Sequence, residues 1–150
     1  MAYTRDTYKG RFVPTNFAKY MGNTQNIIYR SSYEYRFMKW CDLNKNVLEW
    51  GSEEIVVPYV SPKDNMLHRY FVDFFIVVQT KTGERKKYLI EVKPYRFTQE
   101  PVVPKRKTQR FLSEVFQWAI NNAKWKAATE YSKKMGWEFM LITERDLGLM

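Results

Sequence analysis

The sequence predicts an α/β or α+β fold with one mixed central sheet and helices. Three features point to it: helical periodicity over residues 31–43 and 108–135, β-rich runs between those segments, and one further β-rich run after the second. The length of 150 residues is most simply one domain with room for a buried core. The expected division is an irregular arm over residues 1–28 followed by the folded domain over 29–150.

Each element has its own local reason. Residues 1–28 hold Gly10, Pro14, Gly22 and Asn23 without sustained periodicity. The arm interleaves Arg5, Lys9, Arg11 and Lys19 with Tyr3, Tyr8, Phe12, Phe17 and Tyr20, which suit anchoring to its own domain better than stacking on bases. Over 31–43, Tyr33, Phe37, Trp40 and Cys41 recur at three- and four-residue spacing, and Ser31-x-x-Glu34 has the capping-box pattern. Residues 53–59 read as a strand ended by Pro58 and the Ser61-Pro62 turn. The run 70–79 is a stronger strand, apolar on both faces, and so central and covered. A turn containing Gly83 then returns the chain as a second strand over 87–93.

Pro94, Pro101 and Pro104 keep residues 94–107 irregular. Phe111, Val115, Trp118, Ala119 and Trp125 form the apolar stripe of the second helical segment, with Asn121-Asn122 a candidate break and Gly136 a candidate stop. Residues 137–143 read as the last strand.

Composition narrows function. A single Cys (Cys41) excludes an intrachain disulfide and Cys-rich zinc sites, and a single His (His68) excludes Cys2His2 fingers. The longest apolar run, 74–78, is far short of a bilayer span, and residues 1–10 carry no secretory h-region, so a reduced cytoplasmic setting is expected. The net charge is +9, and +7 of it falls between residues 81 and 110, where ten basic residues oppose three acidic ones. Clustering of this kind suits a polyanion, with nucleic acid favoured over a merely solvated face. The best phosphate-clamp candidates are Lys105, Arg106 and Lys107, with Arg110 beyond them. Lys124 and Lys126, either side of Trp125, are further candidates for the DNA backbone.

One constellation resists a purely structural account. Asp73 stands inside an apolar run, and across the expected hairpin come Glu91 and Lys93, which alternation places on one face. A three-residue loop at 81–83 puts Asp73 opposite Glu91, whereas a two-residue loop puts it opposite Val92. Gly83 at the left-handed final position favours the three-residue loop. Two neighbouring buried carboxylates are costly without a cation. Mg²⁺, which keeps several waters and uses few carboxylates, suits this small set, with Mn²⁺ as substitute. Metal-assisted phosphodiester hydrolysis is the chemistry such a group supports, Lys93 orienting hydroxide or stabilising phosphoryl charge. The competing reading is a simple ion pair of Lys93 with Glu91 or Asp73. Glu34 is either a helix cap or a further carboxylate of the site, and its position alone does not decide. His68 reads as a loop or strand-entry residue, Cys41 as packing, Glu53 and Glu54 as solvated charges, and Gln117 as a residue that helical geometry can turn towards the site.

In order and in element type, Glu34, Asp73 and Glu91-Val92-Lys93 resemble the PD-(D/E)xK nuclease superfamily. The blocks YRSSYEYRFMKWCD, WGSEEIVVPY, RYFVDF, IEVKP, NNAKWKAA and ITE resemble more closely the head completion nucleases of T-even-like tailed phages, a branch similar to the TnsA-like cutting subunit of heteromeric transposases. MAY and KYMGN in the arm extend the likeness over nearly the whole chain. The resemblance implies a restriction-endonuclease-like core and a metal-dependent DNA endonuclease of low sequence specificity, acting before heads and tails join. It implies Asp73 and Glu91 as metal ligands, with the backbone carbonyl of Val92, Lys93 as the catalytic lysine, and Glu34 as the helix carboxylate completing the site. One departure is Val72, which stands where the superfamily's eponymous proline would be. Implied partners are DNA and phage portal or head proteins, with no membrane; cutting both strands together would call for a homodimer. The implied setting is the host cytoplasm during virion assembly, or the virion head. The alternative function is a non-enzymatic DNA- or portal-binding head assembly protein with a nuclease-like fold.

Overall fold

A computed structural model describes residues 9–148. A four-stranded mixed sheet forms its centre, in the order β3 (Val47–Ser52), β6 (Phe74–Gln79), β7 (Arg85–Val92) and β8 (Glu138–Ile142). The first three strands are antiparallel; β7 and β8 are parallel, joined by a crossover through α2 (Gln109–Met135). Of the run 70–79 expected to be central and covered, only its second part, β6, holds that position.

Period-two alternation divides the core between the two faces. Phe74 and Ile76 of β6, with Ile90 and Val92 of β7, pack with α1 (Ser32–Leu43) through Phe37, Met38 and Cys41. Phe75 and Leu89 pack on the other face with Trp125 and Ala128 of α2. Phe12, Tyr20 and Ile27 of the arm are buried in the α1-side cluster, so these two aromatics do anchor it, whereas Phe17 is exposed. Tyr3, Arg5 and Tyr8 lie outside the described residues. The arm is also more regular than expected: β1 (Gly10–Arg11) pairs with β2 (Ile28–Tyr29), which straddles the boundary drawn at residue 28.

The structure departs from the sequence reading in five further places. Strand β3 was not foreseen, because Glu49, Gly51 and Ser52 dilute its β signal; its Val47 and Trp50 are nevertheless fully buried. The 70–79 run is two strands, not one. It breaks at Val72 and Asp73, between β5 (Leu67–Phe71) and β6, and β5 pairs only with β4 (Val56–Val60) in a separate ribbon. The neighbouring chain turns at the same level, where Glu53 adopts φ 56°. Hydrogen bonds still cross the bend, from Val72 N–H to the Ile55 carbonyl and from Glu53 N–H to the Asp73 carbonyl, both at 3.0 Å.

Asn121-Asn122 does not divide the second helix. Asn121 Oδ1 accepts from Gln117 Nε2 at 2.9 Å and Asn122 Nδ2 donates to the Trp118 carbonyl at 2.7 Å, so both amides are satisfied within α2. Of the expected stripe only Trp125 is buried; the inward face runs through Asn121, Trp125, Ala128 and Ser132, leaving Val115 and Ala119 exposed. Gly136 does end α2, at φ 77°. A short α3 (Glu144–Leu147), also unforeseen, starts from a capping box between Thr143 and Asp146 and buries Leu147.

Ser31 is the cap of α1, its Oγ accepting from Glu34 N–H at 3.1 Å while the residue is buried. Ser31→Ala should therefore cost about 1 kcal/mol, read as a lower denaturant midpoint with unchanged slope.

Candidate active site

The loop between β6 and β7 has the odd length that Gly83 favours. Thr80 and Glu84 close it, with Thr80 N–H donating to the Glu84 carbonyl at 2.8 Å, and Gly83 adopts φ 85°. The pairs from Gln79↔Arg85 to Phe74↔Ile90 follow one unbroken register. Extended by one residue, that register sets Asp73 opposite Glu91. Asp73 stands where β6 begins, and its Oδ2 accepts from Val92 N–H at 3.0 Å. Lys93, two residues after Glu91, has its Nζ 3.5 Å from Glu91 Oε2.

Glu91 is 5% exposed, and its carboxylate is held at both oxygens. Tyr70 O–H, from the inner face of β5, donates to Oε1. Trp125 Nε1–H, from α2, donates to Oε2 at 3.1 Å. Burial, then the charges of Glu91 and Asp73, raise the Tyr70 hydroxyl well above its ordinary range, keeping it a donor. Burial first, then Glu91 and Glu34, push the Asp73 carboxyl well above the carboxylate range. Glu34 is also raised, by burial first and with smaller contributions from Glu53 and Glu91, against the opposing influence of Arg30. The three acids thus feel one another's charge from three separate elements.

Glu34 caps its helix in a shifted form of the expected box. Its Oε1 accepts from Arg30 N–H at 3.1 Å rather than from Ser31 N–H. Its first-turn position also brings it within electrostatic reach of Asp73 and Glu91. Among the described residues, no three His, Cys, Asp or Glu side chains already stand together as a ligand set for a metal ion. The donor chemistry nevertheless suits a hard divalent cation: the carboxylates are oxygen ligands, and their mutual charge adds to the burial that raises Asp73 and Glu34.

The other candidates are more scattered. Lys105, Arg106, Lys107 and Arg110 are all exposed, Arg110 facing Glu114 at 3.4 Å on the surface of α2. Lys126 is exposed, while the ammonium of Lys124 lies 5.6 Å from the Tyr70 ring centre and 5.8 Å from that of Tyr59. Lys124 therefore reaches the edge of the acidic group. Gln117 is exposed and bonded to Asn121. His68 stands in β5, 2.8 Å from Asp64, Glu53 faces Arg30 at 3.0 Å, and Cys41 is buried packing.

Tyr70 and Trp125 are the members that sequence reasoning missed, one having been assigned to a strand and the other to the core. A signal was present: a buried carboxylate needs donors, and both residues combine an apolar body with a polar tip.

A family model described as TnsA-like endonuclease N terminal matches residues 44–144, a range that includes Asp73, Glu91 and Lys93 but not Glu34. The head completion nuclease of Enterobacteria phage T4 is 38% identical over 144 residues, covering 93% of each chain. No solved structure matched the chain.

Proposed function

The chain belongs to the TnsA-like endonuclease family, whose fold is restriction-endonuclease-like, and on that premise we propose a Mg²⁺-dependent endodeoxyribonuclease of low sequence specificity that acts during phage head completion, before tails join. Head completion as the stage follows the name of the T4 relative. The observation that carries the chemistry is the registered pair Asp73 and Glu91 with the Lys93 ammonium 3.5 Å from Glu91.

Asp73, Glu91 and the backbone carbonyl of Val92 would hold the cation, with Glu34 as a further carboxylate and Mn²⁺ as substitute. When bound, a divalent cation polarises the scissile phosphate and lowers the pKa of water. Lys93 supplies a fixed positive donor for charge building on the phosphoryl oxygens. Lys124 and the exposed Lys105, Arg106, Lys107, Arg110 and Lys126 bind the backbone rather than base edges, which accounts for low sequence specificity. Partners on this reading are DNA and portal or head proteins, with a homodimer where both strands are cut together. The place of action is the host cytoplasm during assembly, or the filled head. No helix among the described residues is long and apolar enough to cross a membrane.

The test is conversion of covalently closed plasmid to nicked circles and then linear DNA. Activity should vanish on chelation and return with Mg²⁺ or Mn²⁺. Undiminished cutting in excess chelator would overturn the metal-dependent reading, and DNA binding without any cutting would leave the non-enzymatic assembly role. Neutralising Lys105, Arg106 and Lys107 together should weaken DNA binding and flatten the slope of log K against log salt by up to about three charges' worth. An unchanged slope would move the binding face elsewhere.

A further inference from the structure

Glu91 is gripped from two elements outside its own sheet. Tyr70 comes from the β4–β5 ribbon and donates to Oε1; Trp125 comes from α2 and donates to Oε2 at 3.1 Å. An ionised carboxylate has about four lone-pair positions. Two accept these hydrogen bonds, and the Lys93 ammonium 3.5 Å from Oε2 crowds that oxygen further. The oxygen left most available is Oε1. Burial of Glu91 to 5% exposure, with Tyr70 at 3% and Trp125 at 7%, keeps water from replacing either donor. The carboxylate is therefore locked in one orientation, and only one of its oxygens is free to take a further partner.

That restriction bears differently on different cations. Mg²⁺ demands a compact octahedral shell, keeps several waters and needs few carboxylate oxygens. Ca²⁺ takes six to eight oxygens in a flexible shell and readily engages both oxygens of one carboxylate. We infer that Tyr70 and Trp125 are positioning residues that fix the Glu91 carboxylate and so set the discrimination of the site between small and large divalent cations. The inference rests on the proposed metal-dependent function and assigns its selectivity to two side chains that need touch neither cation nor DNA.

Tyr70→Phe is the sharpest variant, since it removes one hydroxyl and keeps the buried ring. Trp125→Phe, which keeps an aromatic body and loses the N–H, is the second. Calorimetric titration of the metal-free protein with Mg²⁺ and with Ca²⁺, in the absence of DNA, reads the effect without relying on cleavage. Groups that orient metal ligands in this way typically contribute 10- to 100-fold in affinity. In Tyr70→Phe, Mg²⁺ affinity should fall about tenfold or more while Ca²⁺ affinity falls by less than about threefold or rises. The preference for Mg²⁺ then narrows, with unchanged circular dichroism. A merely structural role would lower both affinities alike.

Glu91→Ala separates the two ways of failing. If the wild type binds Mg²⁺ through Glu91 and both Phe variants keep its Mg²⁺-to-Ca²⁺ ratio within about twofold, the positioning role is overturned and the nuclease reading stands. If the wild type binds neither cation, both are overturned.

Discussion

Replacing Lys93 with Ala should lower plasmid nicking by about 10²–10³-fold, the range for removal of one fixed donor to developing charge, while DNA affinity changes by less than about threefold. The asymmetry follows from position. Lys93 is one of 25 basic residues, so its loss barely alters the field that attracts DNA. It is, however, the cation 3.5 Å from the buried Glu91 carboxylate. Lys93→Arg should likewise keep binding and restore little activity, because a planar guanidinium does not present charge as a compact ammonium does. Rates equal to wild type in both variants would move the catalytic lysine elsewhere.

Asp73→Asn should abolish detectable cutting and at the same time stabilise the metal-free protein. The carboxyl of Asp73 is held well above its ordinary range by burial and by Glu91 and Glu34. A carboxyl raised on folding binds its proton more tightly in the native state. Stability is therefore greater below the folded value and falls as pH rises from the unfolded value through the raised one. At pH 8 the native state therefore carries more of that cost than at pH 5. The variant, neutral throughout but still able to accept from Val92 N–H, should gain about 1–2 kcal/mol at pH 8 and little at pH 5. For a chain of this size that corresponds to about 3–8 °C in melting temperature. Mg²⁺ should in turn stabilise the wild type more at pH 8 than at pH 5. A pH-independent difference between wild type and variant would mean that Asp73 is not under this electrostatic load.

Local chemistry made some of the fold legible. Gly83 marked the loop length and so the facing of Asp73 and Glu91, Ser31 and Gly136 marked helix ends, and a dense run of β-branched and aromatic residues marked the strand around Phe74, with the Gly turn marking its return through Leu89. Features decided by tertiary partners were not legible. The bend at Val72 and Asp73 coincides with a turn at Glu53 between β3 and β4, which no periodicity within 70–79 records. Asn121 and Asn122 looked like breakers because their hydrogen bonds along the helix are invisible until it forms. The acidic residues of the site stood out as costly charges in apolar runs. Tyr70 and Trp125 did not, since an aromatic in a core segment draws no notice until the carboxylate facing it is located.

The parallel pairing of β7 with β8 has an evolutionary corollary. Because the chain must travel back through α2 to run alongside itself, the segment between Lys93 and the start of that helix leaves the sheet at the end where Asp73 and Glu91 stand. Insertions or deletions in this stretch, which already holds Lys105, Arg106 and Lys107, can change which DNA shapes are admitted without shifting any group anchored on the strands. On the proposed function, admission of substrate and chemistry would thereby fall to different parts of one polypeptide.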